Sequence, residues 1–434
     1  MFWEKEIETL KAKELHRLQL NRLKKTLRQA GKAPFYSRVF KKHRVSPEKI
    51  KTLEDVKNLP FTTKEDLRKE FPYGFLTVAK EKIVRVHSSS GTTGRATAVF
   101  HTQKDLDGWA NLVARCMYMA GVRNSDVFQN MVGYGLFTGG LGFQYGAERL
   151  GALTIPSGSG NSKRQIGLMR DFETTVIHII PSYALHLRKV FEEVDLDPKK
   201  DTKLRIAMIG AEPHSEATRQ RIEEMYGIKA FNSYGLSEMN GPGVAFECPE
   251  KTGMHFWEDD FLVEVIDPQT EKILPDGEEG ELVFTTLNRE AMPLIRYRSK
   301  DLATIFSDSC PCGRTHRRIS RIKGRSDDMF ILKGVNIFPL QIDTTLMNIT
   351  EVGTNYLVVL EREPENFQDR MIVRVEVRPE FFKGDLWQLE SLRKQITEAL
   401  KSELLVTPKV ELVEPDTLPK SEGKAVRVVD RREM

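Results

Sequence analysis

Cysteine is scarce: four in 434 residues, too few for the disulfide framework of a small secreted domain. Long apolar runs are missing too. No stretch approaches the roughly 18 consecutive apolar residues of a membrane span. The N-terminal MFWEKEIETLKAKELHRLQL mixes charged with apolar residues, unlike a secretory signal. There is no internal repeat, no low-complexity tract and no large excess of one charge, since 66 Lys+Arg against 62 Asp+Glu give +4. What is present, 40% hydrophobic and 29% charged residues, is the balance of a globular chain able to bury a core. A cytoplasmic enzyme of about two to four domains is the expectation, with neither membrane nor nucleic acid as a partner.

The charge is uneven along the chain. Residues 1–51 hold 15 Lys/Arg against 5 Asp/Glu. Ile7, Leu10, Leu15, Leu18, Leu23 and Leu27 keep roughly helical spacing with the basic residues between them. The run therefore reads as the solvated face of an N-terminal helix. No aromatic interleaving or nucleic-acid motif accompanies it.

Residues 1–80 read as mainly helical, with Thr62-Thr63-Lys64-Glu65 as a capped helix start. From 83 to 240, the apolar runs Ile83–Val86, Val127–Val132, Val176–Ile180 and Ile206–Ile209 alternate with helical stretches. That is the signature of strand–helix units in a largely parallel sheet, whose ligands bind where loops leave the carboxyl ends of strands. Residues 255–325 change to an antiparallel pattern, with strands at Phe261–Ile266 and Glu281–Thr286. Beyond them lie a helix near 339–348, strands near 355–361 and 371–378, a helix near 385–405 and a strand near 409–413. The fold class is α/β: a large N-terminal domain, residues 1–326, with parallel sheets and an antiparallel β region, and a small C-terminal α+β domain, residues 327–434.

Ser88-Ser89-Ser90-Gly91-Thr92-Thr93-Gly94-Arg95 directly follows an apolar strand. Glycines let backbone N–H groups approach phosphate oxygens, hydroxyls add donors and Arg95 adds charge. Neither the Walker order nor the dinucleotide GxGxxG is present. Tyr234-Gly235-Leu236-Ser237-Glu238, after the strand Ala230–Phe231, offers an aromatic to stack a base and a carboxylate for a hard cation. Asp301, in Arg296-Tyr297-Arg298-Ser299-Lys300-Asp301, can accept hydrogen bonds from vicinal ribose hydroxyls. Gly324-Arg325-Ser326-Asp327-Asp328 sits at the boundary, and Lys424 is presented beside Gly423 near the chain end.

In order and spacing these segments resemble those of the adenylate-forming superfamily, and within it the phenylacetate–CoA ligase family. The closer resemblance is carried by Gly133 to Gly142 (GYGLFTGGLG), Gly210-Ala211-Glu212-Pro213, Gly313-Arg314-Thr315-His316 and Gly334 to Pro339 (GVNIFP). It implies a two-step ligase. ATP and a carboxylate give an acyl adenylate and diphosphate; coenzyme A then displaces AMP to give a thioester. It also implies residue roles. Lys424 is the catalytic cation between carboxylate and α-phosphate. Ser89, Ser90, Gly91, Thr92, Thr93 and Gly94 hold the outgoing phosphates. Ala211, Glu212 and Pro213, with Tyr234 and Gly235, contact adenine. Asp301 and Arg325 hold the ribose, Glu238 holds magnesium with Ser237 nearby, and Asp327 is the hinge about which the small domain rotates. A homodimer is implied by resemblance alone.

The acid pocket is read from the residues. Gly133–Gly142 follows an apolar run, so it belongs at a strand's carboxyl end. Tyr134 and Phe137 would form a flat apolar wall, the glycines would let backbone pack close, and Ile180 and Pro181 would close the far side. An aryl acetate fits such a slot. His178, inside an apolar run, reads as a core residue, and His87 as a shaper of the phosphate loop. Cys248, His255, Cys310 and Cys312 make a Cys₃His set for a structural zinc, with His316 as an alternative fourth ligand and reduced, unconnected thiols or a labile bridge as the bland outcome. Cys116 reads as a buried helix residue. Other readings are a different aryl acid such as indoleacetate or benzoate, a different acceptor, and a nucleotide-binding regulator without turnover.

Overall fold

The computed structural model describes residues 1–88, 96–362, 368–382, 386–419 and 426–432. Its centre is a 12-stranded sheet, one continuous plate whose two halves run differently. In one half, Leu153–Ile155, Val127–Asn130, Val176–Ile179, Ile206–Gly210 and Lys229–Leu236 lie side by side in parallel. At Gly241–Glu247 the chain turns back on Lys229–Leu236, and Met254–Phe256, Arg318–Ile319, Tyr297–Phe306, Glu279–Thr286 and Phe261–Ile266 continue antiparallel.

The period of two along each strand explains the layers. Ile177, Ile179, Ala207 and Ile209 pack under the helices Ser162–Asp171, Pro181–Glu193 and Glu216–Tyr226. Their neighbours Val176, Ile206 and Met208 face the opposite core, shared with the helices Gln103–Met119 and Thr138–Leu150. Both faces are covered, so these strands read as unbroken apolar runs.

One expected strand belongs elsewhere. Ile83–Val86 was assigned to the parallel sheet, but Arg85–Ser88 pairs antiparallel with Ala98–His101 in a separate two-stranded ribbon, with Arg85 opposite His101 and Ser88 opposite Ala98. Ser88 and Ala98 are too close in sequence for a parallel crossover, which needs a dozen or more residues.

The N-terminal basic run is the solvated face of a helix, as its spacing implies. The helix Ala12–Ala30 buries Leu15, Leu23 and Leu27 while Lys13, Arg17, Lys25 and Arg28 stay exposed. Thr63 caps Lys64–Lys69 in a reciprocal arrangement with Asp66. After Phe330 a second apolar core begins. It lies between a four-stranded sheet (Lys409–Val413, Asp369–Val377, Val352–Arg362, Val428–Asp430) and the helices Pro339–Met347 and Leu386–Leu404. Among the described residues no helix is long and apolar enough to cross a membrane.

Candidate functional site

Strand register builds the first cluster. The short strand Gly324–Arg325 pairs with Tyr297–Phe306 so that Arg325 lies directly opposite Asp301. Arg325 Nη1 donates to Asp301 Oδ1 at 3.0 Å, and the Tyr234 hydroxyl donates to Asp301 Oδ2 at 2.6 Å. Burial pushes the Asp301 carboxyl up to about 6, against the opposing pull of Arg325. The same guanidinium forks onto Asp327, with Nε to Oδ1 at 2.9 Å and Nη2 to Oδ2 at 3.0 Å. Three sequence-selected positions, Tyr234, Asp301 and Arg325, thus converge, and Asp327 is tied to them. Arg296 and Arg298, which flank Tyr297, serve the fold instead: Arg296 pairs with Glu264 and Arg298 with Glu281.

Ala211 takes φ +68, in the left-handed region. A non-glycine residue there costs about 1–2 kcal/mol, and such strain gathers at sites the surrounding structure must hold. Beside it, the Glu212 carboxylate accepts the Ser182 backbone N–H at 2.6 Å. Pro181, Glu212 and Pro213 line a cavity of about 280 Å³ together with residues of the C-terminal unit.

Glu238 follows in a short 3₁₀ turn, Ser237–Met239. Its Oε1 is buried with no hydrogen-bond partner among the described residues. The Tyr297 phenol lies against the carboxylate, and Lys64 Nζ stands 3.9 Å from Oε1. Arg289 holds the turn by donating to the Glu238 carbonyl at 3.1 Å. Ser237 Oγ faces Thr138 Oγ1 at 3.4 Å. A buried carboxylate oxygen that accepts no hydrogen bond among the described residues and meets a lysine only at 3.9 Å fits a magnesium ligand. A bound cation would share that oxygen with Lys64.

Tyr134 and Phe137 lie where the strand Val127–Asn130 gives way to the helix Thr138–Leu150. Asn130 Nδ2 donates to the Tyr134 hydroxyl at 2.9 Å and to the Gly140 carbonyl at 2.6 Å. His178 donates from Nδ1 to Asn130 Oδ1 at 2.9 Å. Burial pulls His178 down to about 3, so it is a neutral positioning group behind Asn130. The Phe137 ring lies over Gly139, where a Cβ would come within 2.7 Å of it. Phe137 is 36% exposed, at the rim of this region and not in the core. Ile180 is half-buried and caps the start of the Pro181–Glu193 helix.

The Leu136 carbonyl between these aromatics accepts twice from the neighbouring ribbon, from Ser88 N–H at 3.0 Å and from His87 Nδ1–H at 3.0 Å. Burial keeps His87 below its usual range, hence neutral. Ser89, Ser90, Gly91, Thr92, Thr93 and Gly94, and also Lys424, lie outside the described residues.

The cysteine set assembles. Ligand atoms of Cys248, His255, Cys310 and Cys312 all lie within 4.8 Å of one another. Cys248 Sγ and Cys310 Sγ are 3.7 Å apart. That is far beyond a disulfide and close to the ~3.8 Å edge of a tetrahedron built on zinc–sulfur bonds. Cys312 Sγ is 3.2 Å from His255 Nε2, and His255 Nδ1–H donates to the His316 carbonyl at 2.8 Å, the outer-shell bond that orients a ligating imidazole. His316 is otherwise engaged. Its Nδ1 accepts the Glu258 N–H and its Nε2–H donates to the Ile7 carbonyl, each at 3.0 Å. That leaves His255 as the fourth group.

Sequence reasoning missed Asn130, Tyr297 and Arg289. Tyr297 could have been found, because it stands inside a segment already singled out. Asn130 and Arg289 carry no local signal.

Comparison with known proteins gives the family. Residues 20–288 match the AMP-binding enzyme family and residues 334–432 the AMP-binding enzyme C-terminal domain. The chain is 45% identical to phenylacetate-coenzyme A ligase of Aromatoleum evansii over 98% of this chain and 96% of that protein. It is 43% identical to the enzyme of the same name from Thermus thermophilus over the full length of both. A crystal structure of 2-hydroxyisobutyryl-CoA ligase in the postadenylation state, with 2-HIB-AMP, superposes with a TM-score of 0.94 at 33% identity, covering 100% of this chain and 93% of that one. The same ligase in its thioesterification state, with 2-HIB-AMP and CoA, gives 0.73 at 34% identity and the same coverage. By its length of match, its identity and its architecture, the chain belongs to the phenylacetate–coenzyme A ligase family of the AMP-binding enzymes.

Proposed function

We propose that the protein is an ATP-dependent phenylacetate–coenzyme A ligase. The observation that carries this is identity of 43–45% along nearly the whole chain to ligases of that name. In the first half-reaction a carboxylate oxygen attacks the α-phosphorus of ATP, and diphosphate leaves. In the second the thiolate of coenzyme A attacks the acyl carbon, and AMP leaves as a good leaving group.

Residue roles follow the site. Asp301 accepts from the ribose hydroxyls while Arg325 and Tyr234 hold its carboxylate in place. Ala211, Glu212 and Pro213, with Tyr234 and Gly235, take adenine. Ser89, Ser90, Gly91, Thr92, Thr93 and Gly94 hold phosphates. Lys424 supplies the charge that lets two anions approach. Glu238, near Ser237, would hold magnesium, which screens phosphate charge when bound. Tyr134, Phe137, Ile180 and Pro181 line the acid slot. Cys248, His255, Cys310 and Cys312 would hold a zinc whose role is to staple strands, since adenylation chemistry does not need it.

The domains divide at Asp327, a reading supported by two apolar cores that end at Ile319 and begin at Phe330. The higher likeness to the postadenylation state supports reading the described arrangement as that of the first half-reaction. Cytoplasmic location and a homodimer complete the proposal.

A second reading, a small aliphatic 2-hydroxy acid as substrate, is favoured by the structural likeness alone. The test is coenzyme A-dependent AMP release across phenylacetate, indoleacetate, benzoate, 2-hydroxyisobutyrate and hexanoate. Phenylacetate should lead, and Phe137→Ala should raise its KM more than that of ATP. Equal turnover of hexanoate would remove the aryl slot.

A further inference from the structure

Two helices from opposite sides of the seam between the apolar cores exchange charges. Asp343, on Pro339–Met347 of the C-terminal unit, accepts at Oδ2 from the Ser215 N–H at 3.3 Å and from the Thr218 hydroxyl at 3.2 Å. Ser215 is the N-cap of Glu216–Tyr226, so the carboxylate sits at the positive end of that helix. In return Arg221, on Glu216–Tyr226, reaches the chain just past the other helix. Its Nη2 donates to the Ile349 carbonyl at 2.8 Å, and its Nη1 to the Val352 carbonyl at 3.2 Å and the Gly353 carbonyl at 3.4 Å. Each helix lends a charge of the right sign to the other's end.

Arg221 is buried, and among the described residues no carboxylate lies within ion-pairing distance of it. Burial lowers its pKa to about 10. A guanidinium that closes onto neutral carbonyls surrenders its hydration without a full counter-charge. Such a contact specifies one geometry yet releases readily, whereas removing one partner of a buried ion pair costs several kcal/mol. Lys189 adds a rim contact to Asp416 at 2.7 Å.

We propose that Arg221 and Asp343 form a reciprocal latch that holds the C-terminal unit in the adenylate-forming arrangement and opens for thioester formation. This rests on the functional reading above. Both are positioning residues, although Asp343 also lines the cavity beside Glu212 and Pro213.

The test separates the half-reactions: diphosphate release in a single turnover, and thioester formation from supplied phenylacetyl adenylate and coenzyme A. Arg221→Met should slow the first about tenfold and leave the second unchanged or faster, and Arg221→Lys should recover part of the loss. Asp343→Asn should show the same split more weakly. The double variant should be slower in the first half-reaction than either single variant, because the two contacts have different partners and hold the same seam. Equal falls in both half-reactions, or none, would overturn the latch. If Arg221→Met does not fold, Asp343→Asn decides alone. If the wild type makes no thioester from any acid, the functional reading falls instead. X-ray scattering with an adenylate analogue then judges the latch: expansion of the Asp343→Asn variant relative to wild type supports it, and identical profiles reject it.

Discussion

Two arginines show how the molecule treats what must stay and what must move. Arg325 is pinned between Asp301 and Asp327, with three contacts of 2.9–3.0 Å to carboxylates, and these charges raise its pKa. Among the described residues Arg221 meets only carbonyls and a thioether, and burial lowers its pKa. On the proposed roles, the first belongs to the ribose site. The second belongs to the proposed latch. Charge pairing thus separates machinery from latch more clearly than burial does.

The sharpest test of this contrast adds a third cation. Lys424→Ala should cut acyl-adenylate formation by about 10²–10³, the usual loss when a positioned charge is removed from a transition state. Thioester formation from supplied adenylate should be spared. A parallel fall in both would mean that Lys424 behaves like Arg325 and not as a one-step group. Next in size, Arg325→Ala should weaken ATP and acyl-adenylate binding alike, by about 1.5–3 kcal/mol. Both half-reactions should therefore suffer, unlike at Arg221, and titration of the adenylate would show it.

A static element gives the control. Protein purified without added metal should carry one zinc per chain by elemental analysis, and Cys310→Ser should lose it at a cost of about 2 kcal/mol in stability. Turnover per folded molecule should hold. A metal-free protein of full stability would remove the staple.

The smallest effect is a pH profile. Because Asp301 titrates near 6 in the fold, above the usual 3.8, its protonated form suits the buried site. Its contribution to stability is complete below the unfolded value and is lost as pH rises through about 6. Ribose binding needs the carboxylate, so the KM for ATP should rise as pH falls through 6, by up to about tenfold per unit. No loss of stability from Asp301 should accompany it. Arg325 opposes the shift, while Glu238 and Asp327 reinforce it. Asp301→Asn should flatten the profile; a profile unchanged in that variant would assign the titration to another group.

Much of this was legible in the sequence, for physical reasons. The strand Lys409–Val413 lies where the apolar pattern put it, and Tyr234, Asp301 and Arg325, singled out by their motifs and by the family resemblance, meet in the fold. The ribbon holding Arg85–Ser88 was misassigned because a four-residue apolar run cannot tell parallel from antiparallel partners. Spacing left His255 and His316 open as ligands; only their hydrogen bonds decide between them. Arg221 and Asp343 were invisible. Each looks like an ordinary charge on an amphipathic helix, and its meaning lies in a helix far away in the chain.

The Leu136 carbonyl has a thermodynamic consequence. One oxygen accepts from Ser88, at the edge of the proposed phosphate loop, and from His87 beside it, while its own segment carries Tyr134 and Phe137. On the proposed roles, a nucleotide held beside Ser88 would bear through this oxygen on the segment that faces the acid. By linkage, whatever factor ATP adds to the affinity for the acid, the acid must add to the affinity for ATP.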